Sequence, residues 1–228
     1  MKKFLAISGL SLSLVALPYC QAFSNDVGSS AVTPLTANVE GSGYKELTAQ
    51  WWQWASSMSD EDGAVGDTTG AKCAMEQKGN VWFLAGGYGS SKIKRQCTIP
   101  EGKSIFFPII NMVYWDESST SARICSQLKS EVTMDEKEIS HIAVEINGHV
   151  VEDAKKYHVK SDCFDLYERL SPAERPTKIA YAATDGFWIL LSPLPKGKHS
   201  LKFGATYIDA SDKSERMKQD IEYTLTVE

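Results

Sequence analysis

Leu201-Lys202-Phe203-Gly204-Ala205-Thr206-Tyr207 and Ile221-Glu222-Tyr223-Thr224-Leu225-Thr226-Val227 carry the plainest periodicity in this chain. In both, apolar and polar positions alternate, which is the period of a strand with one face on a core and the other in water. The charged stretch Asp209 to Glu215 between them reads as a turn, so the pair predicts a long antiparallel ribbon beginning at Gly197. Working outward, His141 to Ile146 meets Asn147-Gly148 and then Val150-Val151. Asn-Gly is a hairpin signal because both central turn positions take positive φ. Val81 to Ala85, Ile105 to Ile110 and Phe187 to Leu191 are continuous apolar runs, as in strands covered on both faces, with Pro108 marking a bulge or an edge. Gly86-Gly87-Tyr88-Gly89 lacks a following Lys and reads as a hairpin loop rather than a phosphate cradle. Many short strands and few helices predict a mainly β fold, an antiparallel β-sandwich decorated by one or two helices.

The first helix is predicted over Tyr44 to Ala55, where Leu47, Trp51, Trp54 and Ala55 share one face and Trp52 is displaced from it. A second, weaker one runs from Thr120 to Val132, with Ile124, Cys125, Leu128 and Val132 together behind Ser and Thr caps. Residues 23–42 are rich in Ser, Ala, Thr and Asn without a period and read as a flexible linker or arm. Residues 43–228 then form a single disulfide-stapled β-rich domain, or two lobes meeting near residues 117–136; no internal repeat interrupts them.

Lys2 and Lys3 precede the apolar run Phe4 to Leu17, and Cys20-Gln21-Ala22 offers small-residue cleavage, so residues 1–22 read as a signal peptide. The run is too short to span a bilayer. Lipid attachment at Cys20 is disfavoured by bulky Pro18 and Tyr19 before it. The expected location is periplasmic or extracellular. Cleavage leaves Cys73, Cys97, Cys125 and Cys163, an even number in an oxidising compartment, which predicts two disulfides. Cys73 and Cys97 flank what reads as one strand and its return, so the pairings expected are Cys73–Cys97 and Cys125–Cys163. A four-cysteine zinc site would normally show C-x-x-C, which is absent. Loss of Lys2 and Lys3 takes the formal net charge from −5 to −7. An acidic chain without a basic stripe argues against nucleic-acid or anionic-membrane partners, and the run Lys92 to Arg95 reads as a solvated edge or turn.

No HExxH or GxSxG motif occurs. Asp60-Glu61-Asp62-Gly63 with Asp67 suggests a calcium loop but fails the EF-hand pattern, with Ala64 and Ala71 at ligand positions, so a plain solvated loop is the leading reading and no cofactor is expected. Among His141, His149, His158 and His199, the first two bracket the Asn-Gly turn and read as a surface cross-strand pair rather than a zinc site. Asp67, Asp116 and Asp185 sit where strands give way to loops. Trp51, Trp54, Trp82 and Trp188 fall within apolar periodicities and read as core. Asn111-Met112-Val113-Tyr114-Trp115-Asp116 leaves a buried strand and delivers an amide, two aromatics and an acid, so Asn111, Tyr114, Trp115 and Asp116 are the candidate ligand-binding residues. Three functions remain open: a non-catalytic binding protein for a small molecule or glycan, a hydrolase of an envelope or extracellular polymer, and a structural envelope protein with a protein partner.

Trp51-Trp52-Gln53-Trp54, Cys73-Ala74, Val81-Trp82-Phe83-Leu84-Ala85-Gly86, Cys97-Thr98-Ile99-Pro100 with Gly102-Lys103, Phe107-Pro108, Asp185-Gly186-Phe187-Trp188 and Pro193 to His199 form a further pattern. Over Tyr44 to Val227 it resembles a family of small secreted bacterial proteins of uncharacterised role. That resemblance implies export, the Cys73–Cys97 pairing and a β-rich fold, and it transfers no catalytic residue. Gly197 to Asp209 also resembles the closing ribbon of immunoglobulin-like modules.

Overall fold

The structure, a computed structural model, describes residues 28–117 and 122–228. The expected signal peptide and the first residues of the arm, 23–27, lie outside the described residues. In chain order the elements are α1 (Tyr44–Ala55), β1 (Val81–Phe83), β2 (Ser91–Ile99), β3 (Ser104–Asp116), α2 (Ala122–Glu131), β4 (Ile139–Ile146), β5 (His149–Val150), β6 (His158–Lys160), β7 (Phe164–Asp165), β8 (Tyr181–Leu191), β9 (Gly197–Ile208) and β10 (Glu215–Val227). The first sheet has the order β1-β3-β8-β6, with β7 on the same edge of β8, and the second the order β2-β10-β9-β4-β5.

The two sheets pack face to face as a sandwich, with Phe107 on Phe203 across the interface at 4.6 Å between ring centroids. In sheet two, alternation sends Leu201, Phe203, Ala205 and Tyr207 of β9 and Ile221, Tyr223, Leu225 and Val227 of β10 into this core. The predicted ribbon is the β9–β10 pair, in register from Gly197 opposite Val227. Asn147 and Gly148 turn between β4 and β5 at φ of 51° and 82°, as their sequence requires.

Helix α1 covers the other face of sheet one. Trp51 meets Trp188 edge-on at 5.7 Å and donates its indole N–H to the Leu84 carbonyl, and Trp54 meets Phe83. The phenol of Tyr44 donates to the Thr33 carbonyl and accepts from the Leu190 N–H. The arm is docked from Ala31 onward: Ala31 is buried and Val32 bridges Leu191 on β8. Both expected disulfides are present, Cys73–Cys97 and Cys125–Cys163, the second tying α2 to the segment after β6. Among the described residues no helix is long and apolar enough to cross a membrane.

Two pairings differ from an all-antiparallel sandwich, since β1 runs parallel to β3 and β2 parallel to β10. The physical cause is a crossing. Leaving β1 in sheet one, the chain passes through Gly86 to Gly89 into β2 of sheet two and returns to β3, and two reversals leave β3 running with β1. Gly86-Gly87-Tyr88-Gly89 is therefore an inter-sheet crossing rather than a hairpin loop. Pro108 sits at a bulge in a central strand, where the β3–β8 register shifts between Pro108 and Ile110.

Arg95 departs furthest from its expectation. It occupies an inward position of β2, in step with Ile93, Cys97 and Ile99, and is only 2% exposed. Its Nε donates to the Asp67 carbonyl at 2.6 Å, one terminal nitrogen to Ala85, Gly86 and the Tyr223 phenol, and the other to Val65. The guanidinium also lies over the Tyr223 ring at 5.6 Å. Its planar fork satisfies four carbonyls of non-sheet backbone, so only Lys92 and Lys94 of the basic run are solvated.

Candidate functional site

Strand β3 passes through the core and emerges at one end of the sandwich, and alternation there sorts its side chains. Asn111, opposite Gly186, Val113, opposite Thr184, and Trp115, opposite Ala182, fall on the α1 side of the sheet. That side is fixed by Trp52, whose indole N–H donates to the Thr184 hydroxyl at 2.9 Å. Met112, Tyr114 and Asp116 fall on the other side, where Met112 packs against Leu128 and Val132 of the α2 region. The structure thus brings Asn111 and Trp115 onto one face and sends Tyr114 and Asp116 to the opposite one. Trp115 is 52% exposed and Tyr114 44%, so neither is core.

Asn111 lines a narrow pocket of about 100 Å³ with Trp51, Trp52, Tyr88, Pro108 and Met217 among its other walls. Its amide nitrogen is buried and has no hydrogen-bond partner among the described residues. Buried amide groups are nearly always paired; this nitrogen, like the indole nitrogens of Trp82 and Trp188, has no partner among the described residues and no accessible surface, so it lies behind the pocket wall rather than open to it. The lip is the crossing loop, and Gln219 holds it: its carbonyl oxygen accepts from Gly87 N–H at 2.8 Å, and its amide donates to the carbonyls of Gly87 and Gly89. Gly87 has no room for a side chain, because a Cβ there would lie 2.3 Å from the Ser91 hydroxyl. Arg95 fixes Val65 and Gly86, two further wall residues, from beneath.

From this pocket an aromatic surface runs along β3. Trp52, Val113, Phe164 and Tyr167 pack around Leu166, Ala180 and Ala182, and Trp115 lies two strand positions past Val113, about 13 Å from Asn111 at strand rise. Two phenols along it hold carboxylates: Tyr88 donates to Asp60 at 2.7 Å and Tyr167 to Glu117 at 3.3 Å. Burial, then the Asp60 carboxylate, pushes the Tyr88 phenol upward; burial, then Glu117 and Asp60, does the same to Tyr167. Flat rings, phenols, carboxylates and one amide form a surface suited to an uncharged polar ligand with apolar faces.

The remaining acids and histidines have other work. Asp67 caps its own turn, accepting from the Thr69 N–H and hydroxyl and from Lys72 N–H, while Asp62 pairs with Lys72. Among the described residues no group of three His, Cys, Asp or Glu converges as a metal site. His149 stands opposite Ile146, so β5 ends far short of His141 and the expected His141–His149 pair does not form. The Nε2–H of buried His199 donates to the Pro195 carbonyl, leaving Nδ1 to accept from the Asn147 amide. His158 Nε2 lies 2.7 Å from buried Asp185 and its Nδ1 3.6 Å from Glu136, so both nitrogens face carboxylates and neither is left for a nucleophile. Asp185 also accepts from Met134 N–H, which makes this cluster a strut between β8, β6 and the segment after α2.

Of the four residues expected from the sequence, Asn111 and Trp115 share this face, which Trp52, Tyr88, Tyr167 and Gln219, not singled out in the sequence, also border. The one local signal was an aromatic set among glycines at Gly87-Tyr88-Gly89. The class defined by fold and site is a disulfide-stapled, mixed β-sandwich flanked by a helix, with an aromatic pocket at one sheet end. Comparison with family models, curated proteins and solved structures finds no match.

Proposed function

We propose that this protein is an exported, non-catalytic binding protein that holds a carbohydrate along the α1-facing side of β3. The observation that carries the reading is a neutral, aromatic-walled pocket flanked by Trp51, Trp52 and Tyr88, with Trp115 exposed on the same strand face. Pyranose rings present apolar C–H faces to aromatic rings and hydroxyls to phenols, amides and carboxylates, and this face offers all four. Two disulfides and the expected signal peptide support export to an oxidising compartment.

Titration calorimetry of the oxidised protein against a panel of oligosaccharides and envelope glycans, with tryptophan fluorescence as a second readout, tests the proposal. Saturable binding to one glycan class that weakens in Trp115→Ala supports it. A well-folded sample that binds none of the panel overturns it. Product analysis after long incubation with the same glycans separates binding from hydrolysis, for which Asp60 and Glu117, held by Tyr88 and Tyr167, are two acids at this face.

A further inference from the structure

We infer that the outer edge of β3, from Asn111 to Trp115, takes an extended peptide of another protein as an added strand, a role beyond the carbohydrate reading, which uses the face of this strand rather than its edge. The edge is open because β1 leaves the sheet. Strand β1 pairs with β3 only as far as Phe106, whose carbonyl accepts the Leu84 N–H, and the chain then crosses to sheet two. Past that point β8 is the only strand neighbour of β3 among the described residues. Thr184 of β8, opposite Val113, turns its carbonyl to the Ser161 N–H on its far side. Opposed residues of an antiparallel pair either exchange bonds or both face away, so Val113 and, by alternation, Asn111 and Trp115 point their N–H and C=O groups out of the sheet. Among the described residues none of these groups has a hydrogen-bond partner.

The other edges are short or protected. Strand β1 is three residues long, and its Phe83 exchanges both hydrogen bonds with the Gln77 side-chain amide. Strand β2 carries Lys92 and Lys94, and its Gln96 N–H donates to the Thr69 carbonyl. Strands β5, β6 and β7 are two or three residues long. Asn111 to Trp115 contains neither Lys nor Pro and presents exposed Tyr114 and Trp115 on its opposite faces. An unblunted apolar edge of this kind is a template for strand addition, in which main-chain bonds supply affinity and alternate side chains supply selectivity.

The two ends of the edge set the chemistry of the occupant. The pocket at the Asn111 end is walled by Trp51 and Trp52 from the α1 side and by Met217 and Gln219 of sheet two, so it sits against the edge of β3 rather than on one face. Its lining is neutral and mostly apolar, which suits an apolar residue. At the other end Trp115 is followed by Asp116 and Glu117, which suit a cationic one, by charge and by contact with the exposed indole. A strand spans the distance from Asn111 to Trp115, about 13 Å, in about four residues, which separates the two anchors by that much in the peptide. A second copy of this chain does not match these ends. Antiparallel pairing of two β3 edges would bring Asp116 and Glu117 of each to the neutral pocket end of the other, without a counter-charge.

The test uses capped hexapeptides of Val and Thr with Leu at one end and Lys at the other, made in both orders to sample parallel and antiparallel addition. Calorimetry should show saturable binding of one order, about ten-fold tighter than its counterpart with Glu in place of Lys. Hydrogen exchange at the Asn111, Val113 and Trp115 amides should slow about ten-fold or more, while Met112 and Tyr114, whose N–H groups face β8, stay unchanged. Val113→Pro should abolish binding and keep the fold, because this N–H makes no bond within the sheet and proline is tolerated at such edge positions. Binding of neither order, binding that leaves those amides unmoved, or equal binding of the Glu peptide overturns the inference. Slowed exchange at the same amides in the protein alone, growing with concentration alongside a dimer in sedimentation, overturns it in favour of a second copy. None of these outcomes bears on the glycan titration, which tests the face separately.

Discussion

Asn111 on β3 stands in register with Gly186 on β8, and a Cβ at Gly186 would lie 2.6 Å from both the Asn111 Cβ and the Ile110 carbonyl oxygen. The missing side chain is what lets the asparagine lie across its neighbour strand and border the pocket. Gly186→Ala should cost about 1–3 kcal/mol, since backbone on one side and a buried side chain on the other must both shift. Urea unfolding checks the stability, and glycan titration of the folded fraction should show the site impaired as well.

Trp115 and Tyr114 are adjacent and similarly exposed but belong to opposite faces. Trp115→Ala should weaken glycan binding about ten-fold, the loss of one stacked ring, whereas Tyr114→Ala should leave it unchanged. Neither substitution should move the melting temperature, because neither ring is core. Equal effects from both on binding would refute the facing deduced from the strand register.

Arg95 predicts a stability effect that a surface residue would not show. Arg95→Lys keeps the charge but cannot reach the carbonyls of Val65, Asp67, Ala85 and Gly86 together, so it should cost about 3 kcal/mol or more. The chemical denaturation midpoint measures this. Lys94→Ala on the same strand, solvent-facing, should fall within about 0.5 kcal/mol of wild type.

His158 gives stability a pH dependence. Its hydrogen bond to Asp185, against the opposing effect of burial, raises its pKa above the ordinary histidine value, with Glu136 adding to the rise. A group whose folded pKa is raised contributes fully below the unfolded value of about 6.5 and loses that contribution as pH rises through the folded one. Stability should therefore decline as pH is raised from about 6.5, with Lys160 at 3.8 Å from Asp185 remaining to offset part of the loss. Denaturation midpoints measured across this range should show the slope in wild type and a flatter profile in His158→Gln.

The Cys125–Cys163 bond joins α2 to the far side of sheet one from the pocket. Replacing both cysteines by serine should lower stability by about 3–4 kcal/mol on chain-entropy grounds. Glycan affinity at a temperature where the variant is folded should be unchanged. Loss of binding there would place the ligand on the α2 side.

What the sequence made legible was local. The β9–β10 ribbon, the Asn147-Gly148 hairpin and α1 each announce themselves in periods of two or 3.6 residues or in a turn dipeptide, and each lies where expected. Which sheet a strand joins is not a local property. The parallel β1–β3 and β2–β10 pairings, the crossing at Gly86 to Gly89 and the burial of Arg95 all follow from contacts between distant segments. The site divides the same way. Asn111 and Trp115 stood out as a polar and an aromatic residue leaving a core strand, and strict alternation already separated them from Tyr114 and Asp116. Trp52 was visible only as a residue displaced from the helix's apolar face, and Gln219, 132 residues from Gly87, gave no local sign of the loop it holds.

The parallel seating of β10 between β2 and β9 bears on when the protein acquires its shape. Arg95 reaches the Tyr223 phenol across 128 residues of chain, and among the described residues β2 has no other strand neighbour than β10. A chain emerging from a ribosome holds β2 and the crossing loop long before their partner arrives. Folding of sheet two is thus deferred until residues 215–227 have emerged, and such distant pairing is slow.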